Sequence, residues 1–159
     1  MNAVDTNVFV YSLDASEPAK QVDAHRLLDR LAQSPIETIL PWQVAGELLN
    51  CLRKWELAGR ITPAEVEAHF GDVLAMFPLK IPSAASFQTS FDLRSRFSLS
   101  HWDSMLLAAC KEAGVDTLYS EDMSAGTDCG TRSRRIYWKA ATTSARCRSC
   151  WGMPTWRRR

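Results

Sequence analysis

Asp5, Glu47, Asp103 and Asp122 are carboxylates spaced far apart along the chain, each next to a predicted strand end or helix start. Asp5 directly follows the apolar stretch at Ala3-Val4, in Asp5-Thr6-Asn7. Glu47 falls in the second turn of a predicted helix and Asp103 in the first turn of another. Asp122 comes just after Leu118-Tyr119-Ser120-Glu121. Crowding several carboxylates together is unfavourable unless a cation offsets their charge. Hard oxygen donors of this kind suit Mg²⁺ or Mn²⁺, ions that keep part of their water shell and contact phosphate oxygens. The chemistry such a site offers is hydrolysis at phosphorus. Each acid also has an ordinary structural use. Asp5 can cap the turn after a strand, and Ser100-His101-Trp102-Asp103 has the form of a capping box with Asp in the last place. Glu47 can be a solvated position beside an apolar stripe, and Asp122 a turn residue.

The elements that would position these acids are legible from periodicity. Asn2 to Val4 reads as a short strand, and Thr6 to Tyr11 begins a helical turn. From about Pro18 to Ala32 the residues Ala24, Leu27, Leu28 and Leu31 recur at helical spacing. Glu37 to Leu40 is a second strand. Trp42 to about Ala58 is a helix with Val44, Leu48, Cys51, Leu52 and Trp55 on one face, ended by Gly59. Thr62-Pro63-Ala64-Glu65 combines a hydroxyl cap, proline at the first helical position and a glutamate three residues after the cap. Val66, Phe70, Val73, Leu74 and Phe77 continue that helix as its apolar stripe. Leu79 to Ile81 is a weak strand. Ser83 opens a helix whose Phe87, Phe91 and Phe97 are expected in the core. Ser100 opens the next, with Trp102, Leu106, Ala109 and Cys110 expected inward. Thr117 to Tyr119 is a late strand. Strands alternating with helices predict an α/β chain with a largely parallel sheet, and in such folds reactive residues gather beyond the carboxyl ends of the strands.

A length of 159 residues fits one core, and no apolar run reaches the roughly 18 residues of a membrane helix. The first residues lack the pattern of a secretory signal, so the expected location is cytoplasmic, with no membrane partner. The net charge of +1 hides an asymmetry: residues 1–128 hold all 18 acidic side chains against 10 basic ones, net −8. Residues 129–159 hold 9 basic side chains and no acid, together with Cys129, Cys147 and Cys150. That shift predicts a domain over 1–128 and a divergent basic tail, rich in Cys, Arg and Trp, over 129–159. An acidic body is not the evenly basic surface of a general nucleic-acid binder.

The order and wording of the acidic segments resemble the PIN-domain family, and within it the VapC-type toxins of toxin–antitoxin pairs. Val4-Asp5-Thr6-Asn7-Val8 is similar to the family's opening strand and first acid, and Gly46-Glu47-Leu48-Leu49-Asn50 to its second. Ser100-His101-Trp102-Asp103-Ser104-Met105-Leu106 is similar to the third-acid helix, and Leu118-Tyr119-Ser120-Glu121-Asp122-Met123 to the last strand-end segment. The resemblance covers about residues 1–128. It implies a PIN-like three-layer α/β fold, a central mainly parallel sheet flanked by helices. It further implies a Mg²⁺- or Mn²⁺-dependent endoribonuclease that hydrolyses RNA phosphodiester bonds as the toxin of a type II toxin–antitoxin system. Asp5, Glu47 and Asp103 would hold the metal, with Asp122 completing the acidic pocket and Glu121 its outward neighbour. Thr6 and Asn7 would orient the first carboxylate, and Ser120 would shape the pocket near the fourth. Implied partners are RNA, a small cognate antitoxin and a second copy of the chain.

Other readings stand beside this one. A catalytically silent PIN-like binding module would keep the same acids as caps. A phosphatase with an aspartate after strand one wants a second acid two residues later, where Asn7 stands. His101 is read as a packing residue rather than a general base. Arg53, Lys54, Arg60, Arg94 and Arg96 fit phosphate contacts or solvated helix faces equally well. Cys147-Arg148-Ser149-Cys150 with Cys129 falls short of the four ligands of a structural zinc site. The tail departs from the family pattern: only Ile136 to Trp138 has strand character, and the segment is read as a divergent end or, in competition, as an RNA-binding arm.

Overall fold

The computed structural model describes residues 1–121 and 135–136; Asp122, the tail cysteines and the expected boundary at 129 lie outside the described residues. Strand β1 (Asn2–Val4) is buried along its whole length and leads into helix α1 (Thr6–Leu13). Helix α2 (Pro18–Ala32) turns Ala24, Leu27, Leu28 and Leu31 inward, the stripe its spacing predicts. Strand β2 (Thr38–Pro41) follows, then helix α3 (Trp42–Leu57) with Val44, Leu48, Leu52 and Trp55 buried. Gly59 takes the positive φ of 69° that closes this helix.

Helix α4 (Pro63–Met76) begins with the expected capping box: Thr62 Oγ1 accepts from the Glu65 amide, and Glu65 Oε2 accepts from the Thr62 amide. Strand β3 (Leu79–Lys80) comes next. Helices α5 (Ala85–Phe97) and α6 (His101–Glu112) pack against each other before strand β4 (Thr117–Tyr119). Strand β5 (Arg135–Ile136) supplies a partner for β4. The strand order is β3-β2-β1-β4-β5, and every neighbouring pair runs parallel. The expected α/β architecture with a parallel sheet is therefore present. Among the described residues, no helix is long and apolar enough to cross a membrane.

Two expectations about side-chain direction fail. Phe87 and Phe91 are 56% and 65% exposed, and α5 buries Ser86, Ser90 and Leu93 instead. These serines form the adjacent stripe of the same helix, and their small size lets α5 lie close to α6. Ser86 Oγ donates to Glu112 Oε2 at the far end of α6, and the Ser83 amide donates to Glu112 Oε1. A polar clamp therefore takes the place a phenylalanine stripe was expected to fill. Trp102, expected inward, is 40% exposed.

Asp14, at the end of α1, is nearly inaccessible to solvent and is paired with Arg60 Nη2 at 2.9 Å. Burial alone would raise its pKa. The hydroxyl and amide of Ser16, with Arg60, reverse that and hold the carboxyl below its ordinary value. Arg60 also lies over the Trp55 ring at 4.5 Å, tying the end of α3 to the end of α1. A carboxyl whose folded pKa is depressed stabilises the fold fully above its unfolded pKa, and that stabilisation fades as pH falls through the folded value. Asp14→Ala is expected to lose about 1–3 kcal/mol at neutral pH. The difference from wild type should shrink in acid below the usual carboxylate range, as measured by urea unfolding across pH.

Candidate active site

The chain runs outward from β1 to β2 and β3, then returns to lay β4 on the other side of β1. This reversal of direction puts the switch point of the sheet between β1 and β4, the place beyond the strands' carboxyl ends where open α/β sheets bind ligands. Asp5 is the residue that leaves β1 there. Its amide donates to the Tyr119 carbonyl of β4 at 2.9 Å, so β1 and β4 end level with each other.

Asp5 caps α1: Oδ1 accepts from the Thr6 amide at 2.6 Å, and Oδ2 accepts from Ser120 Oγ at 2.6 Å. The capping reading of Asp5 is thus realised at one oxygen, while the other accepts from the Ser120 hydroxyl. Ser120 is 1% exposed and also accepts from Asn7 Nδ2 at 3.4 Å. Asn7 Oδ1 is buried with no hydrogen-bond partner. A buried amide oxygen without a donor is rare, and its unmet acceptor would suit a water or a cation. Of the residues expected to orient the first carboxylate, Thr6 reaches it through its amide and Asn7 reaches Ser120; Ser120, expected near the fourth acid, bonds the first.

Thr6 Oγ1 donates to Glu47 Oε2 at 2.8 Å, so one residue joins the two carboxylates, Asp5 by its amide and Glu47 by its hydroxyl. Gln43 Nε2 donates to Glu47 Oε1 at 2.9 Å and to the Trp102 carbonyl at 3.2 Å. Gln43 was not singled out in the sequence, although its place four residues before Glu47 on one helix face was a usable signal. Its amide fastens α3 to the first turn of α6, where Asp103 sits. Ser100 Oγ accepts from the Asp103 amide at 3.1 Å and donates to Asp103 Oδ2 at 2.7 Å. Ser100 therefore caps α6, but the carboxylate answers to the Ser100 hydroxyl and leaves Oδ1 outside that contact.

Asp5 and Glu47 are thus on one connected network, Ser120–Asp5–Thr6–Glu47–Gln43–Trp102, while Asp103 follows Trp102 in the chain and bonds Ser100. Among the described residues, no three Asp, Glu, His or Cys side chains form a ready cage for a metal ion. The donor set is all hard oxygen. Each carboxylate oxygen has further lone-pair directions beyond the hydrogen bond it accepts. Mg²⁺ commonly uses one or two protein carboxylates and fills its remaining positions with water and phosphate oxygens, so these residues fit it.

Beside Ser120, Glu121 pairs with Lys20 Nζ at 3.1 Å, and the same ammonium reaches the Tyr11 hydroxyl at 3.1 Å and lies 4.3 Å from its ring centre. Burial, reinforced by Glu121, pushes the Tyr11 phenol up to about 12. The Lys20 ammonium loses some stability by desolvation, but Tyr11 and Glu121 more than compensate and its pKa rises. Lys20 stays charged, and nothing in the sequence connects it to a partner 101 residues away. Of the other basic residues, Arg60 is committed to Asp14, and Arg53 lines a groove between α3 and α4 with Glu56, Glu67 and Phe70. His101 packs edge-on against Trp102, in line with a packing role.

No protein-family model and no curated protein matches the chain. Solved structures do. A toxin–antitoxin complex from Klebsiella pneumoniae aligns with a TM-score of 0.55 at 16% identity, over 77% of this chain and 87% of that one. VapBC2 from Rickettsia felis, bound to a promoter DNA fragment, aligns with a TM-score of 0.54 at 13% identity, over 76% and 86%. VapC20 from Mycobacterium tuberculosis, a sarcin–ricin loop cleaving toxin, aligns with a TM-score of 0.51 at 16% identity, over 77% and 90%. The fold is PIN-like. At these identities the likeness extends to the fold, and the function must be argued from the site.

Thr6→Val keeps the shape of the side chain but removes the hydroxyl between the first two carboxylates. It is expected to lower stability by about 1–3 kcal/mol, because a hydrogen bond to a charged group is lost in a buried setting. Thermal unfolding of the variant checks this, and a stability equal to wild type would remove Thr6 as the link.

Proposed function

We propose that the chain is a metal-dependent endoribonuclease, the toxin of a toxin–antitoxin pair, working at the carboxylate edge of β1. The observation that carries this reading is the hydrogen-bonded network that gathers Asp5, Glu47 and the Asp103 turn at the switch point of a parallel sheet. The likeness in fold to toxins of this kind, one of them a sarcin–ricin loop cleaving toxin, supports it. Asp5, Glu47 and Asp103 would hold Mg²⁺ or Mn²⁺, and Asp122, next after Glu121, is the fourth acid of the proposed set. The ion, when bound, supplies Lewis-acid polarisation of the phosphodiester and offsets the charge that develops at phosphorus.

The protein's own part is orientation. Ser120 and the Thr6 amide fix the two oxygens of Asp5, and Thr6 and Gln43 fix those of Glu47. Ser100 restrains one oxygen of Asp103 and does not engage the other. The N-terminus of α1 at Asp5 and that of α6 near Asp103 each place partial positive charge beside an acid. This eases the repulsion among carboxylates and holds them ready for a cation. A small antitoxin that covers this edge is the expected partner, as the Klebsiella neighbour was solved as a toxin–antitoxin complex.

The lack of a ready three-ligand cage among the described residues favours one rival, a silent binding module that retains the acids as caps. Activity separates the two. Purified chain incubated with structured RNA is expected to cleave it with Mn²⁺ or Mg²⁺ and to stop in excess EDTA. Asp5→Asn and Glu47→Gln should each lower the rate by roughly 100-fold or more, beyond what disturbing an outer contact costs, while the circular dichroism spectrum holds. Cleavage that persists in EDTA would end the metal mechanism, and a folded, inert wild type would favour the silent module.

A further inference from the structure

Trp42 and Trp102 are 56% and 40% exposed, a large apolar surface to leave in water. Both stand at the carboxylate edge. Trp42 opens α3 directly before Gln43, and Trp102 directly precedes Asp103 in the first turn of α6. Gln43 Nε2 bonds the Trp102 carbonyl at 3.2 Å and Glu47 at 2.9 Å. One amide therefore fastens the two tryptophan-bearing backbone positions to each other and to the second carboxylate. His101 meets the Trp102 ring edge-on, with centroids 4.9 Å apart and planes at 72°. That contact steadies the indole without covering it.

An exposed, steadied indole is the kind of surface on which unpaired nucleobases stack. The charge of this edge points the same way. Glu47 and Asp103 accept hydrogen bonds from neutral groups, Gln43, Thr6 and Ser100. Lys20, the ammonium near Ser120, is engaged by Glu121 and Tyr11. With Lys20 so engaged, that ammonium is withdrawn from holding a polyanion. Stacking grips the base and does not need it.

We propose that Trp42 and Trp102 form a base-stacking subsite for unpaired nucleotides beside the phosphate presented to the carboxylates. The proposal rests on the nuclease reading and specifies its substrate as a single-stranded or looped segment, since a paired base offers no free face. It also makes substrate binding less salt-sensitive than phosphate contacts would, because stacking releases no counterions.

The test compares the full chain with Trp42→Ala, Trp102→Ala and the corresponding Phe variants on two probes. One probe is a short unstructured oligoribonucleotide, and the other is the same strand with abasic positions around the cleavage point. Each alanine variant is expected to raise KM on the intact strand roughly 5- to 100-fold, the range for losing one stacked base. Phenylalanine should restore most of the loss. On the abasic strand the wild type should already be weakened, and alanine should add little. Alanine variants that match wild type on the intact strand overturn the proposal, as do losses of equal size on both probes. Unchanged KM with altered sedimentation would overturn it too, and assign the indoles to contact with protein, such as a second copy of the chain. A wild type that cuts both probes equally overturns the stacking alone. One that neither binds nor cuts with Mn²⁺ present overturns the nuclease reading as well.

Discussion

The parallel pairing of β1 with both β2 and β4 is the constraint from which the site follows. Asn2 and Ala3 are in register with Thr38 and Ile39 on one side and with Thr117 and Leu118 on the other. All three strands consequently end on the same edge, and the residues that leave them, Asp5, Trp42 and Ser120, are delivered together. Helices that follow a parallel strand must begin at that edge, which brings the N-termini of α1 and α3 to it. Helix α6 arrives by a different route. It precedes β4 and must descend to that strand's start, so its own start lies at the top. The Glu112 clamp with Ser83 and Ser86 fixes the other end of α6 against the beginning of α5. An apparently peripheral contact thereby helps to set where Asp103 stands.

Two kinds of acid occur in this molecule, and their partners differ. Asp14 is buried at a helix end and receives a guanidinium, a hydroxyl and an amide. Its charge is met within the chain, and its role is to hold α1 against α3. Glu47 and Asp103 are half-buried, and among the described residues no ion pair involves either of them. Their donors are neutral groups, which orient a carboxylate without neutralising it. Among the described residues, Asp14 receives Arg60 while Glu47 and Asp103 receive hydroxyls and an amide, which leave their charge to be met. That charge is what water or a cation must meet.

Most of the architecture was legible because its signals are local. The capping box at Thr62, the glycine closing α3 and the helical stripe of α2 are each set by residues within a few positions of one another. The failures came where two local readings competed. On α5, Phe87 and Phe91 made the more hydrophobic stripe, but Ser86, Ser90 and Leu93 allowed the closer helix approach, and packing against α6 decided it. At the candidate site, the acids were legible from their positions, whereas the groups that hold them were only partly so. Gln43 was within reach of a helix-spacing argument. The bond of Lys20 to Glu121 depends on the pairing of β1 with β4 and on the packing of α2 on α1, and no short-range pattern encodes it.

The likeness in fold to known toxins at 13–16% identity raises the question of what such remote chains must share. The sheet requires only buried apolar residues of suitable shape, and many sequences meet that requirement. The bonds from Ser120 to Asp5 and from Thr6 to Glu47 are not needed to hold the sheet, because β1 and β4 are already joined by their backbones. Replacing these hydroxyls and carboxylates with apolar side chains would spare the chain an unfavourable concentration of acids. Asp5 also caps α1 and Ser100 caps α6, so this network serves local stability and stands where parallel sheets bind ligands. The argument for the proposed function therefore rests on these side chains together with the likeness of fold.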